Sequence, residues 1–178
     1  MKDSVVQMGA SVLRDIAKPV AQKEFGTKEL AATIKKMQKL VATEEFGVAI
    51  AAPQIGVSKR IFILADKAFD AGLAPDKIAA AHKVFINPEI MRLSRKKEEM
   101  AEGCLSVRGK YGTVIRHEKA SVRAYTPEGK VFVYHGTGLI AQIFQHEYDH
   151  LDGILYVDKA EKLRNEKTSS PLKKEVVA

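Results

Sequence analysis

The fold is decided by one stretch of the chain, TGLIAQIFQHEYDHLDG at residues 137–153. Its apolar residues recur at helical spacing, which predicts a helix over residues 137–152. His146 and His150 are four residues apart, so their imidazoles lie on the same face of that helix. Two imidazoles in this arrangement can bind one metal ion, and Glu147 beside the first can reach a metal-bound water.

The apolar residues of the same helix indicate that its histidines are buried. Leu139 and Ile143 continue the face on which His146 and His150 lie. Buried imidazoles need polar partners, because an unpaired polar group inside a protein costs free energy. A metal site therefore fits this segment better than a solvated helix with incidental histidines.

Two histidines leave the metal short of a ligand, because catalytic zinc-type sites use three protein ligands and keep a fourth position open. No histidine follows His150, and the first glutamates downstream are Glu161 and Glu166. Upstream, the single cysteine Cys104 follows Gly103, and a glycine lets backbone approach a site closely. A lone cysteine is usually a small buried hydrophobe, but its thiolate would complete a Cys-His-His set.

The composition is that of a globular protein without membrane spans or disulfides. The 178 residues suit one domain, and 46% hydrophobic with 29% charged residues argue against global disorder. No apolar stretch approaches the roughly 18 residues of a membrane span, and the N-terminus lacks a secretory signal core. One cysteine cannot form an internal disulfide, so we expect a cytoplasmic protein. The net charge of +7 fits residence near RNA and equally fits plain solubility.

The rest of the sequence predicts an α+β fold with largely antiparallel sheets. Residues 27–45 place apolar side chains at helical spacing behind Thr27, a capping residue type, and predict an N-terminal amphipathic helix. Residues 60–65 and 83–94 are rich in β-branched and aromatic residues and predict strands. Residues 121–135 predict a hairpin around a Thr-Pro-Glu-Gly turn. Its alternating apolar positions are Val122, Ala124, Val131 and Val133.

Composition also predicts the domain organisation. Residues 1–160 are expected to form a single catalytic domain, and residues 161–178 a basic, flexible C-terminal tail. The polar, proline-containing stretch at residues 66–82 is predicted to be an exposed insertion. The strand at 83–94 is expected to be interrupted at Asn87-Pro88.

Three motifs resemble those of one enzyme family, in the same order along the chain. They are GVAIAAPQ at residues 47–54, EGCLS at residues 102–106 and QHEYDH at residues 145–150. The chain resembles peptide deformylase, which removes the N-terminal formyl group from new bacterial proteins. The resemblance implies antiparallel sheets packed around the central metal-binding helix. It also implies a metal-dependent hydrolase that acts on nascent N-formyl-methionyl peptides and releases formate.

The resemblance implies which residues hold the metal and move protons. Cys104, His146 and His150 would bind one divalent ion, natively Fe(II), with Zn(II), Ni(II) or Co(II) as alternatives. Zn(II) normally binds such ligands more tightly than Fe(II), so occupancy depends on supply. Glu147 would be the general acid and base.

The resemblance further implies how the substrate is held. The carboxamide of Gln54 and the backbone N–H of Leu105 would bind the formyl oxygen, and Val48 with its neighbours would pair with the substrate backbone as if adding a strand. The implied substrate-contacting residues are Val48, Ala49, Gly103, Leu139, Gln142 and Ile143.

Three residues depart from the family pattern. Ala49 stands where the motif usually has glycine, so a positive φ at that position would be strained. Arg108 stands where proline is common and adds charge near the mouth of the site. Gln142, one turn before His146, would make the methionine pocket more polar.

A further expectation concerns the residues around the metal ligands. Glu102 lies two residues before Cys104 and would be shielded from water, and a buried carboxylate needs a cation. The resembled family has an arginine at the spacing of Arg116. We therefore predict an ion pair between Glu102 and Arg116 that fixes the loop carrying Cys104 and the Leu105 amide.

Two other functions stay open at this point. A metallopeptidase of the HExxH kind would need a third ligand after His150, and a non-catalytic relative would only bind peptide or metal. The basic tail suggests weak contact with the ribosome, where the substrate emerges. No membrane partner and no specific DNA partner are expected.

Overall fold

The computed structural model describes residues 4–70 and 83–165, and it confirms the α+β class. The helices are α1 Lys28–Thr43, α2 Lys67–Asp70 and α3 Gly138–Leu151, and the strands are β1 Ala49–Ala51, β2 Ile61–Leu64, β3 Val84–Leu93, β4 Lys97–Cys104, β5 Val107–His117, β6 Lys119–Tyr125, β7 Val131–Thr137 and β8 Lys162–Asn165. Short 3-10 helices connect them, among them Ala52–Ile55 directly after β1. None of the helices within these residues is long and apolar enough to cross a bilayer.

Helix α1 begins where the sequence predicts. The hydroxyl of Thr27 accepts a hydrogen bond from the Leu30 N–H at 3.2 Å, a cap worth about 1 kcal/mol. Its apolar side chains face the core and cover β1 and β2. The buried ones are Leu30, Ile34, Met37, Leu40 and Val41. The helix therefore ends beside β1, the strand of the GVAIAAPQ motif.

Five strands form an antiparallel sheet in the order β1-β2-β3-β6-β7. The predicted interruption of β3 is present as a register shift between Ile86 and Glu89. Asn87 adopts a left-handed φ of 48°, and its carboxamide makes hydrogen bonds of 2.8 and 2.9 Å with the backbone of Val20. These two bonds hold the irregular strand to the N-terminal segment.

Strands β6 and β7 form the predicted hairpin, but the buried face of β7 is not the one that carries Val131 and Val133. Val122 and Ala124 are buried, whereas Val131 and Val133 are about half exposed at 57% and 50%. Phe132 pairs with Ala124 in the ladder, and the alternate aromatic residues of β7 pack on the core instead. Because side chains alternate across a strand, burying the larger rings turns the valines outward.

The second sheet is antiparallel with the order β4-β5-β8. Cys104 ends β4 and faces Val107 at the start of β5. Strand β8, Lys162–Asn165, lies within the stretch predicted as a tail and pairs with residues 110–113 of β5. Residues 166–178 of that stretch lie outside the described residues, as do residues 71–82 of the predicted insertion.

Helix α3 lies between the two sheets and is buried along most of its length. It packs on β6, β7 and β1 of the first sheet and on β5 of the second. Thr137 occupies its N-cap position without a side-chain capping bond, and Gly153 follows its end with a left-handed φ of 73°. A Cβ on Gly153 would lie 2.4 Å from the carbonyl oxygen of Arg14, so only glycine fits there. This position of α3 places its histidines against the end of β4.

Candidate metal centre and active site

Three side chains from β4 and α3 meet in the interior. The ligand atoms of Cys104, His146 and His150 lie within 4.8 Å of one another, and all three residues are buried. The closest pair is Sγ of Cys104 and Nε2 of His150, which are 3.2 Å apart. Transition-metal sites place N and S donors about 2.0–2.3 Å from the ion, so three donors grouped this closely are candidates to share one ion. We call these three residues the ligand group.

His146 is held in the tautomer that a metal ligand needs. Its Nδ1–H donates to Oε2 of Glu102 at 2.9 Å, so the lone pair is on Nε2. Nε2 of His146 is buried and has no hydrogen-bond partner among the described residues. A buried acceptor without a partner is costly unless a further group, such as a metal ion, binds it. The donor set of one sulfur and two imidazoles suits a divalent transition metal.

Electrostatics at the ligand group also fit a cation. Burial raises the pKa of the Cys104 thiol, and the nearby Glu147 and Glu102 charges raise it further. Burial lowers the pKa of His150 well below its usual value, so this imidazole is neutral. Neutral imidazoles are the form that ligates metals, and a cation would convert the buried thiol into a thiolate.

The predicted ion pair between Glu102 and Arg116 is confirmed. Arg116 donates from Nε and Nη2 to the two Glu102 oxygens at 2.7 and 2.9 Å, and both side chains are buried. Burial opposes the Glu102 charge, but the hydrogen bonds from Arg116 and His146 outweigh it and hold the pKa of Glu102 at about 2. Nη1 of Arg116 also donates to Asp149 at 2.6 Å, and Lys159 donates to Asp149 at 2.7 Å. A chain of hydrogen-bonded charged side chains thus runs from the surface to the predicted metal ligand His146. Its members are Lys159, Asp149, Arg116 and Glu102.

Glu147 is a carboxyl group with unusual surroundings. It is completely buried, and neither of its oxygens has a hydrogen-bond partner among the described residues. Burial, with a smaller contribution from the Glu102 charge, raises its pKa well above the usual value. A raised pKa brings a carboxyl toward the range in which it can both accept and return a proton near neutral pH.

Gln54 is oriented by its own loop. Its Oε1 accepts the Ala51 N–H at 2.7 Å, and its Nε2 donates to Sγ of Cys104 at 3.6 Å. The first bond fixes which end of the carboxamide faces the ligand group. The amide N–H donors of Gln54 are therefore directed at the ligand group.

Leu105 is fixed by a segment near the N-terminus that the sequence patterns do not single out. Nε2 of Gln7 donates to the Leu105 carbonyl at 3.0 Å, and the Met8 N–H donates to the Ser106 carbonyl at 2.8 Å. The Val6 N–H donates to the Gln54 carbonyl at 2.8 Å. The segment at residues 5–8 thus joins the loops that carry Gln54 and Leu105.

A pocket of about 370 Å³ opens beside the ligand group. One wall consists of residues 44–46 after α1, the other of residues 107–111 on β5, and the buried Cys104 and Leu105 complete the lining. Nη2 of Arg108 donates to Oε1 of Glu44 at 2.8 Å across this pocket. Phe46 is 59% exposed at its rim. Through this pocket, solvent or a bound molecule can reach a site that is otherwise buried.

The remaining residues implied in substrate contact do not line this pocket. They are Val48, Ala49, Gly103, Leu139, Gln142 and Ile143. Ala49 is fully buried in β1 and is not among the described residues with positive φ, so no strain arises there. Gln142 does not present a free amide, because its Nε2 donates to the Ala101 carbonyl at 2.8 Å.

Glu161 is not part of the ligand group. It is exposed, and its backbone N–H pairs with the Thr113 carbonyl at the start of β8. Glu166 lies outside the described residues. Cys104 therefore fits as the third ligand, and no residue downstream of His150 joins the group within residues 4–70 and 83–165.

Three residues that contribute to the site were not predicted from the sequence. Asp149 and Lys159 extend the charge chain from Arg116, and the first lies inside the quoted QHEYDH motif, where its proximity to the ligands was a usable signal. Gln7 had no such signal, because its contact with Leu105 joins residues 98 positions apart.

Known proteins are similar to this chain in sequence and in fold. A family model described as polypeptide deformylase matches residues 2–166. A peptide deformylase of Desulforudis audaxviator is 41% identical over 88% of this chain and 92% of its own length. The crystal structure of a peptide deformylase from Synechococcus elongatus in complex with actinonin has a TM-score of 0.77 and 32% identity, over 90% of this chain and 80% of that one. The Met-Ala-Ser-bound peptide deformylase of Acinetobacter baumannii has a TM-score of 0.75 and 35% identity, over 87% and 96%.

Proposed function

The chain belongs to the peptide deformylase family, and we propose that it removes the formyl group from the N-terminal formylmethionine of newly made proteins, releasing formate. The observation that carries this function is the buried ligand group of Cys104, His146 and His150 with the unpaired carboxylate of Glu147 beside it. The HExxH peptidase and the non-catalytic relative lack support, since the third donor is Cys104 and Glu147 is in place.

We propose that Cys104, His146 and His150 hold one divalent metal ion, which supplies a nucleophilic hydroxide near neutral pH and polarises the formyl oxygen when bound. Fe(II) is the proposed native ion, with Zn(II), Ni(II) or Co(II) able to occupy the same donors. Glu102 supports this role, because it holds His146 with Nε2 free of a proton.

The formyl group is oriented by donors on two loops. The Gln54 carboxamide, fixed by the Ala51 N–H, and the backbone N–H of Leu105 bind the formyl oxygen as charge develops on it. In other enzymes the loss of one such donor costs about 3–4 kcal/mol of transition-state stabilisation. The network of Gln7 and Met8 supports this role, because it immobilises the Leu105–Ser106 turn.

Glu147 moves the proton in this proposal. It accepts the proton of the attacking water and returns it to the leaving amine, so that one carboxyl serves as base and then as acid. Its complete burial and raised pKa support both halves of the cycle. A formyl carbon bears only hydrogen, so a cramped site selects it over larger acyl groups by shape.

The peptide part of the substrate is proposed to lie along the edge strand β1. Val48 and Ala49 lie at the start of that strand, and among the described residues no strand pairs with its other side. Gly103, Leu139, Gln142 and Ile143 are proposed to surround the methionine side chain. A solved relative that holds Met-Ala-Ser supports a short methionyl peptide as the product.

The cellular setting follows from the same function. We propose nascent N-formyl-methionyl peptides as the partners and the cytoplasm as the location, where a buried free thiol at Cys104 stays reduced. We propose residues 1–160 as the catalytic domain, to which β8 adds the third strand of the second sheet, and a weak contact with the ribosome through the basic residues of the stretch 161–178.

One assay tests the proposal. Formate release is measured from a formyl-Met peptide with and without a chelator, and an unformylated peptide of the same sequence reports any backbone cleavage. We expect formate release that the chelator abolishes and divalent metal restores, with the control peptide intact. Cleavage of the control peptide, or formate release that is indifferent to metal, would overturn it.

A further inference from the structure

The pocket beside the ligand group carries opposite charges on its two walls. Glu44 and Glu45 lie where α1 ends, and Arg108 and Lys110 lie on β5. Nη2 of Arg108 donates to Oε1 of Glu44 at 2.8 Å and joins the walls. The pocket is thus crossed by an ion pair and not by packed apolar side chains.

Arg108 lies close to the ligand group along the backbone. Val107 is the ladder partner of Cys104, and antiparallel partners are about 5 Å apart between Cα atoms. Arg108 is one residue further along β5, an advance of about 3.3 Å. Val107 is buried and Arg108 is exposed, as the alternation of side chains requires. The guanidinium is therefore on the solvent side of the site.

A peptide that enters the site through this pocket passes this guanidinium. With its formyl group at the ligand group, its second and third residues lie roughly 6–10 Å further out in an extended conformation. The pocket between residues 44–46 and residues 107–111 is open to solvent, and Cys104 contributes to its lining. Substrate side chains leaving the site in this direction come within reach of Arg108.

The ion pair is weak enough to be exchanged. The Arg108 side chain is 60% exposed and that of Glu44 is 21% exposed. Exposed pairs of this kind contribute little to stability, so another carboxylate can replace the first at small cost. Guanidinium is suited to the exchange, because its planar donors match any carboxylate.

We propose that Arg108 is a specificity-determining residue that favours formylated substrates with Asp or Glu at their second or third residue. In the free protein Glu44 forms an ion pair with the guanidinium of Arg108. When a substrate binds, its carboxylate replaces that of Glu44. The inference rests on the proposed function, because it assumes that a formylated peptide is the substrate. Screening by salt should weaken the preference.

The test compares matched peptides. Formate release is followed with formyl-Met-Ala-Xaa and formyl-Met-Xaa-Ala, in which Xaa is Glu, Gln or Lys. For at least one of the two positions we expect kcat/KM to be about two- to five-fold higher for Glu than for Gln, the range of an exposed ion pair. The difference should lie in KM and shrink in about 0.5 M NaCl.

Three variants assign the preference to its residues. Arg108→Gln should bring the Glu/Gln ratio of kcat/KM to about 1, and Glu44→Gln should raise it about two-fold by removing the competing carboxylate. Arg95→Gln removes the same charge from the exposed turn between β3 and β4, outside the pocket lining, and should leave the ratio of the wild type. Metal content of each variant reports its folding.

The outcomes separate the two proposals. If formate is released with the same kcat/KM from the Glu and Gln peptides, Arg108 has no role in specificity. The same follows if Arg108→Gln and Arg95→Gln change the Glu/Gln ratio of kcat/KM alike. Both outcomes leave deformylation standing. An unchanged ratio in Glu44→Gln overturns the competition by Glu44. The absence of formate from every peptide, with metal bound, overturns the proposed function itself.

Discussion

Arg116 holds the carboxylate of Glu102 with two hydrogen bonds, of 2.7 Å from Nε and 2.9 Å from Nη2. The same carboxylate accepts Nδ1–H of His146, so the pair fixes a metal ligand through one intermediate group. Both side chains are buried, where an ionised group without a partner is strongly unfavourable.

The pair should behave as a unit in a double-mutant cycle. Glu102→Ala and Arg116→Ala should each lower metal affinity or kcat/KM about 10- to 100-fold, the usual loss for partners of metal ligands. Their effects should deviate from additivity by at least about 1 kcal/mol. Simple addition would show that the two residues act independently and not as a pair. Should either alanine variant fail to fold, Arg116→Lys keeps the charge, loses the two-pronged bond and tests the same point.

Glu147→Gln separates binding from chemistry. The carboxamide keeps the shape of the side chain but cannot take up a proton, so formate release should fall at least about 100-fold while metal content is unchanged. Formate release is measured alongside metal analysis of the same sample. A rate near that of the wild type would show that another group moves the proton.

Cys104→Ala tests the third ligand. Because the sulfur is one of three donors within 4.8 Å, we expect the variant to lose metal and activity together. Metal is measured by elemental analysis after gel filtration, with Ser94→Ala, an exchange outside the ligand group, as the handling control. Full metal retention in Cys104→Ala would remove the cysteine from the site.

Gln7→Met tests the support of the Leu105 turn from the N-terminal segment. Methionine has a similar shape but no donor, so the 3.0 Å bond to the Leu105 carbonyl is lost. A neutral hydrogen bond is worth about 0.5–1.5 kcal/mol, which predicts a fall in kcat of about two- to ten-fold with little change in KM. Gln22→Met, an exposed exchange in another segment, is the matched control. Equal kinetics in both variants would contradict a positioning role for Gln7.

Much of the site could be predicted because its information is local. His146 and His150 are four residues apart on one helix, and this spacing alone indicates that they can bind the same metal ion. Cys104 was a candidate because two histidines leave a ligand missing and the single cysteine follows a glycine, and the resemblance then implied the same role, but nothing in the spacing between two distant segments predicts that they meet. The contact of Gln7 with Leu105 depends in the same way on tertiary packing and has no local pattern.

Strand β7 also shows what the alternation of apolar residues cannot predict. Alternation correctly indicates a strand, but it leaves two choices of face. Val131 and Val133 were the apolar positions of the pattern, yet the rings of the intervening residues bury more area, and the ladder with Ala124 leaves space for Phe132. Side-chain volume, and not polarity, decides the face of this strand.

Asp158 should give the fold a measurable dependence on pH. Its carboxylate accepts hydrogen bonds from Arg14 and from the Leu155 N–H at 2.9 Å, and so it joins the N-terminal segment to the turn after α3. The hydrogen bond from Arg14 lowers the pKa of Asp158, although burial opposes the shift. A lowered folded-state pKa contributes stability above the unfolded value of about 3.9, and this contribution is lost as pH falls through the folded value.

The comparison of Asp158→Asn with the wild type isolates this contribution. At pH 7 the variant should lose up to about 1 kcal/mol of unfolding free energy, since both side chains are more than a third exposed and the pair is screened by solvent. The difference should shrink as the pH falls below 4. Denaturant unfolding of both proteins at matched metal content measures it, with Asp15→Asn as the control for loss of an exposed carboxylate on the same segment. A difference that stays constant down to pH 3 would mean that the charge of Asp158 is not its source.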